Sequence, residues 1–246
     1  MKLTAPFQPW QEHVTITLPG AEAIFTTRRG GVSTGPFESL NLGRLTADEP
    51  DAVERNRSLL QEHVPGRLRM VRQVHGSTVW LLDSPAEEPH GQSLREGDGI
   101  VTGCSDVAPA VLVADCLPVA VAGGGAVAML HAGWRGLSAG ILEEGVRALR
   151  EHAVQTELEA AIGPGIGACC YEVGEEVHSA FASYGPDVRR GRNLDLRAVA
   201  RGQLKRAGVG VVHDLDLCTA CRPELFFSHR RDHGVTGRQA GVAWLS

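Results

Sequence analysis

In the segment ADCLPVAVAGGGAVAMLHAGWRG, residues 114–136, one apolar run opens at Cys116, a second closes at His131, and three glycines separate them. Cysteine and histidine are donors that zinc and copper favour. Gly-Gly is a favoured two-residue hairpin turn, and a turn at Gly123-Gly124 sets Cys116 directly opposite His131. Opposed residues on one face hold their Cβ atoms about 4.5 to 5.5 Å apart, a distance at which a thiolate and an imidazole can share a metal. A three-residue turn over Gly123 to Gly125 sets Cys116 against Ala132 instead, and Pro118 marks an edge or bulge that shifts the pairing by one. His75, at the end of another strand-like run, is the candidate third ligand, and three protein donors leave a position open for water or substrate. The same residues also have a plainer reading, since a histidine at a strand end is commonly only hydrogen-bonded and a cysteine in an apolar strand is commonly core. A third reading dispenses with metal and makes Cys116 a nucleophile activated by His131.

Strands and helices must carry these residues. Leu68–Val74 and Thr78–Leu82 flank HGS, Ala110–Ala122 and Ala126–His131 flank GGG, and residues 159–162, 209–213, 224–228 and 239–245 read as further strands. Apolar residues at Leu137, Ile141, Leu142, Val146 and Leu149 have the three-to-four spacing of a helix over 137–152. Two more helices are predicted over 173–184 and 194–206, the second with Asn193 or Asp195 near its start. Strands mixed with helices outside strict βαβ order predict two packed sheets or one strongly bent sheet with helices outside. We adopt the first: an α/β (α+β) fold over residues 1–246, a single domain of two packed mixed β-sheets flanked by helices in α-β-β-α layers.

Composition narrows the classes. A chain of 246 residues with 43% hydrophobic content can bury a real core. The formal charge is −5 and basic residues gather only in short groups such as Arg28-Arg29 and Arg230-Arg231, so nucleic acid is not an expected partner. The N-terminus lacks an apolar signal core and no run approaches the roughly 18 apolar residues of a membrane span, which predicts a cytoplasmic protein without a membrane partner. In that reducing compartment the six cysteines are expected as thiols or metal ligands rather than disulfides. His63, His90, His152 and His178 read as surface residues.

QVHG at Gln73–Gly76, ADCLPV at Ala114–Val119 and HAGWRG at His131–Gly136 resemble the signature motifs of the laccase-domain family, also called multicopper polyphenol oxidase-like proteins. TTRRGGVSTGPFESLNLG, AIGPGIGACCYEVG and FFSHRRDHGVTGRQAG are similar to family segments in the same order, so the resemblance covers nearly the whole chain. It implies a zinc ion, with copper as an alternative, held by His75, Cys116 and His131. It further implies a purine nucleoside enzyme, which cleaves adenosine, inosine, guanosine and methylthioadenosine with phosphate as co-substrate and deaminates adenosine. Asn41 in LNLG and Arg57 in ERNRSLL resemble family positions near the substrate and are the candidates for holding phosphate, Arg57 as a catalytic residue as well, against plainer readings as a turn residue and a solvated helix face. Some family members are linked to editing of cell-wall precursors, which keeps a cysteine-type or metal-dependent hydrolase open as an alternative.

Copper oxidation of phenols, which the family name suggests, fits the sequence less well. Ten histidines include no His-x-His pair of the kind that usually builds a three-copper cluster, although Met129 shares a strand face with His131 and is conceivable as an axial copper ligand. The deaminase signature H-x-E with P-C-x-x-C is absent, and Asp115 is the substitute proton shuttle considered. GPGIGA at 163–168 formally satisfies a dinucleotide fingerprint but reads better as a tight turn. Cys218 and Cys221 form a C-x-x-C without a partner pair at zinc-finger spacing. Arg230, Arg231, His233 and Arg238 gather in a segment that reads as a polar turn or an anion-binding loop.

Overall fold

Apolar runs punctuated by glycine and proline become strands β1 (Gln8–Trp10), β2 (His13–Leu18), β3 (Ala21–Phe25), β4 (Arg67–Arg69), β5 (Val79–Leu81), β6 (Gly99–Thr102) and β7 (Val107–Val113). They continue with β8 (Leu117–Gly123), β9 (Ala126–Ala132), β10 (Glu159–Ile162), β11 (Arg189–Arg190), β12 (Asn193–Leu194), β13 (Val211–Asp214) and β14 (Gln239–Leu245). Helices are α1 (Pro50–His63), α2 (Trp134–Ser138), α3 (Ile141–His152), α4 (Glu175–Ala180) and α5 (Leu196–Arg206). The computed structural model describes residues 3–84, 95–153 and 157–246, and His90 lies outside them.

Two six-stranded mixed sheets form, in the orders β1-β2-β3-β14-β7-β4 and β13-β10-β8-β9-β6-β5. They pack face to face through Ile16, Phe25, Val111, Val113, Ala120, Val127 and Met129. The outer face of the second sheet is covered by Leu137, Ile141, Leu142 and Leu149 of α2 and α3 and by Val199 and Leu204 of α5. Leu60 of α1, with Val64 just beyond it, packs against Ile24, Ala110 and Val242 on the outer face of the first sheet. The α-β-β-α layering expected from the sequence is thus the architecture, and β8 and β9, buried on both sides, read as continuous apolar runs for that reason. No helix among the described residues is long and apolar enough to cross a membrane.

Several elements differ from the sequence reading. Residues 110–122 are not one strand: β7 belongs to the first sheet and β8 to the second, and the chain crosses between them at Asp115, whose φ is 95°. Residues 224–228 are not a strand, because the Gln239 side chain takes a strand's place by accepting from Phe227 N–H and donating to Phe227 C=O. The expected helix over 137–152 is α2 and α3, broken at Gly140, and that over 173–184 shortens to α4 with a 3-10 turn. Asp195 caps α5 by accepting from Ala198 N–H. His178 is buried rather than a surface residue, with Nε2 near the carbonyl of Arg192.

Candidate metal centre

Strand polarity gathers one set of loops at one end of the sandwich. In the second sheet β8 and β6 begin where β9, β10 and β13 end, since β8 is antiparallel to β9 and β10, β6 is antiparallel to β9, and β13 runs parallel to β10. Cys116 immediately precedes β8, His131 lies near the end of β9, and His75 sits in the connection between β4 and β5. The donor atoms of these three residues lie within 4.8 Å of one another, with His75 exposed, Cys116 half-buried and His131 buried. The His75 and His131 rings meet nearly edge-on with centroids 4.8 Å apart.

The expected hairpin register is corrected. The turn is Gly124-Gly125, both with positive φ as a tight primed turn requires, and Gly123 pairs with Ala126. His131 therefore opposes Pro118, and Cys116 lies one step beyond the last pair, Leu117 with Ala132, opposite Gly133. The shift of two positions keeps Cys116 and His131 on the same face as diagonal neighbours, so they still converge. Gly133 makes the convergence possible: a Cβ there would fall 2.8 Å from Cys116 Sγ and 3.2 Å from His75 Cδ2.

Asp98, which the sequence reading missed, organises this cluster. It is fully buried at the mouth of β6; Oδ1 accepts from His131 Nδ1 at 2.7 Å and from His75 N–H at 2.9 Å, and Oδ2 accepts from the N–H groups of Gly76 and Val74. One carboxylate thus orients the His131 ring, leaves Nε2 for the cluster, and holds the loop carrying His75, whose φ is 59°. The only sequence signal for it is an acid between two glycines ahead of an apolar strand. Burial by itself would lower the His131 pKa, but the Cys116 thiolate charge and the Asp98 contact outweigh it and raise the group above its ordinary value. Burial would raise the Cys116 thiol, and the charge and hydrogen bonds of His131 and His75 reverse that and lower it. The pair leans toward thiolate and imidazolium, a soft and nucleophilic arrangement.

Polar and cationic groups lie around Asp115, the residue before Cys116, and along the segment of Arg238. Asp115 accepts from Thr219 Oγ1 at 2.6 Å and from Arg230 N–H at 2.7 Å, so both its oxygens are engaged. The Arg230 guanidinium lies 5.2 Å over the Tyr171 ring. Burial, then the charges of Cys116 and Asp115, push the Tyr171 phenol up to about 12. Arg238 is close enough to Cys116 and Asp115 to feel their charge, while burial lowers its pKa. Asn41 is fully buried, accepting from Gly43 N–H and Arg238 N–H and donating to Thr46 and Asp48. Arg57 donates to the Leu42 carbonyl and lies 3.1 Å from Met70 Sδ, and burial brings its pKa down to about 10. Met129 is buried between the sheets. Residues 163–168 are irregular, with Gly165 bridging Cys218, and no helix begins before Glu175, unlike a dinucleotide loop.

The family described as multi-copper polyphenol oxidoreductase laccase matches residues 22–246. A relative from Xylella fastidiosa named purine nucleoside phosphorylase is 40% identical over 245 residues, spanning 92% of this chain and 93% of the relative. A relative from Escherichia coli named purine nucleoside phosphorylase YfiH is 38% identical over 237 residues, spanning 92% of this chain and 94% of the relative. The crystal structure of Neisseria meningitidis protein NMB0706 superposes with a TM-score of 0.84 at 39% identity, covering 96% of this chain and all of the other.

Proposed function

We propose that this chain, which belongs to the multi-copper polyphenol oxidoreductase laccase family, is a zinc-dependent purine nucleoside enzyme that cleaves adenosine, inosine, guanosine and methylthioadenosine with phosphate and deaminates adenosine. The observation that carries this reading is the convergence of His75, Cys116 and His131 near Arg238, in a chain 40% identical to a relative named purine nucleoside phosphorylase. The donor set fits zinc, with copper as the alternative: two imidazoles and one thiolate in reach of one point, with His131 Nδ1 engaged by Asp98. When bound, the metal would supply Lewis acidity toward a substrate oxygen or water.

The chain's own residues account for the rest. Asp98 engages His131 Nδ1, so that with a metal bound the imidazole would be neutral, its proton on Nδ1 and its lone pair on Nε2. The Arg238 guanidinium, whose charge reaches Cys116 and Asp115, offers a dianionic phosphate positive charge near the cluster. In phosphorolysis a phosphate oxygen forms a bond to the anomeric carbon as the bond to the purine nitrogen breaks, and the leaving purine takes up a proton. Asn41 acts at one remove, holding the Arg238 backbone, and Arg57 holds the neighbouring segment through Leu42. For deamination, Asp115 is a poor shuttle because both of its oxygens are occupied.

The test is product analysis by mass spectrometry of purified, metal-quantified protein with adenosine, run with and without phosphate. Adenine with ribose 1-phosphate appearing only when phosphate is present supports phosphorolysis, and inosine in either case supports deamination. Unchanged adenosine with metal-loaded protein overturns the reading. The close approach of Cys116 and His131 also suits a second reading, a cysteine hydrolase, which the family resemblance would direct at cell-wall peptide precursors. That enzyme would work in chelator and lose activity on alkylation of Cys116.

A further inference from the structure

A second set of donors converges away from this centre. Cys169 and Cys170 lie in the turn that follows β10, and Cys218 and Cys221 lie in the turns that follow β13. Because β10 and β13 are parallel neighbours, their exits rise side by side. Gly165 bridges Cys218, and Thr219 N–H donates to the Gly165 carbonyl at 3.0 Å. All four sulfur atoms lie within 4.8 Å of one another, with Cys221 Sγ 3.5 Å from Cys169 Sγ and 3.4 Å from Cys170 Sγ. A tetrahedral zinc with bonds of about 2.3 Å places its sulfur ligands about 3.8 Å apart, so these separations are those of a four-thiolate shell. Gly167 N–H donates to Cys218 Sγ at 3.2 Å, the kind of outer contact that steadies a metal-bound thiolate.

We propose that Cys169, Cys170, Cys218 and Cys221 bind a structural zinc ion that clips the two loops together. Zinc suits this set because it is soft enough for four thiolates and tetrahedral in closed sites. A disulfide explains the geometry less well. Cys221 touches two cysteines equally, and the adjacent Cys169 and Cys170 share it. The clip acts on the first centre through short links. Ile166 N–H donates to the Asp115 carbonyl and Thr219 Oγ1 to its carboxylate, so the two clipped loops hold the residue immediately before Cys116. Tyr171, next to Cys170, carries the Arg230 guanidinium. The zinc would thereby be a positioning element for the Cys116 centre, not a participant in its chemistry.

The experiment is zinc quantification by plasma mass spectrometry on full-length wild type, on His131→Ala and on Cys218→Ser/Cys221→Ser. Peptide mass spectrometry of iodoacetamide-treated protein accompanies it, before and after chelation. The proposal expects His131→Ala to retain about one zinc per chain, and Cys218→Ser/Cys221→Ser to lose that equivalent. In wild type the four cysteines should be protected until chelation and then alkylate together. If the double variant fails to fold, the wild-type protection pattern and the zinc kept by His131→Ala still decide the matter. Free alkylation of all four in zinc-loaded protein, a mass loss marking a disulfide, or no zinc in His131→Ala would overturn it. Because His131→Ala and the cysteine variant report on different centres, failure here is distinguishable from failure of the nucleoside reading.

Discussion

Asp98→Asn tests whether one buried carboxylate organises the His75–Cys116–His131 cluster. The substitution keeps size and removes charge. An amide nitrogen at the Oδ2 position would meet the N–H groups of Gly76 and Val74, from which it cannot accept. At the Oδ1 position it would meet His75 N–H and could donate to His131 only if the imidazole proton moved to Nε2, the nitrogen the cluster needs. Either placement removes at least one hydrogen bond to a charged acceptor, each worth about 1.5–3 kcal/mol, and weakens the others, so a stability loss of about 2–4 kcal/mol follows. Loss of such an outer partner typically weakens metal binding by about 10–100-fold. The assay is the zinc concentration that half-protects Cys116 from iodoacetamide, read on the Cys116 peptide, together with urea unfolding. A variant that protects Cys116 at the wild-type zinc concentration would refute the reasoning, whatever its stability.

Gly133→Ala should cut activity by more than about tenfold while the circular dichroism spectrum is kept, since the new Cβ would fall 2.8 Å from Cys116 Sγ; kcat near wild type would contradict it. Asn41→Ala should cost about 2–4 kcal/mol in urea unfolding by leaving the N–H groups of Gly43 and Arg238 without their acceptor, and it should raise the KM for phosphate more than that for adenosine. Burial lowers the pKa of His13 to about 4, so as pH falls below about 6.5 the unfolded chain takes up the proton first. About 3 kcal/mol of stability present above pH 6.5 should be lost by pH 4. The difference in urea midpoints between wild type and His13→Gln, compared at pH 7 and pH 4.5, measures that contribution, and an unchanged difference would count against it.

Much of the His75–Cys116–His131 cluster was legible because residue type and strand parity are local properties. Cys116 and His131 lie in consecutive apolar runs, and the true register differs from the expected one by two positions, which leaves both side chains on the same face. A slip of one would have parted them. Helix α5 was legible for a similar reason: its periodicity and the Asp195 cap are written within a few residues. The strand expected over 224–228 failed because its hydrogen-bond partner is the side chain of Gln239, which no local pattern announces.

What the sequence alone determined, then, was the list of donors, the face on which Cys116 and His131 meet, and the layered class of the fold. Tertiary structure decided the rest. Asp98 matters only because β6 lies beside β9 and delivers its carboxylate beneath His131 and the loop of His75 at once. Cys169 and Cys170 meet Cys218 and Cys221 only because β10 and β13 run parallel and side by side, which brings two loops distant in the chain to one edge. Spacing along a chain encodes contacts within a turn, a helix or a hairpin, whereas contacts between strands far apart in sequence are set by which sheets form and in what order their strands pair.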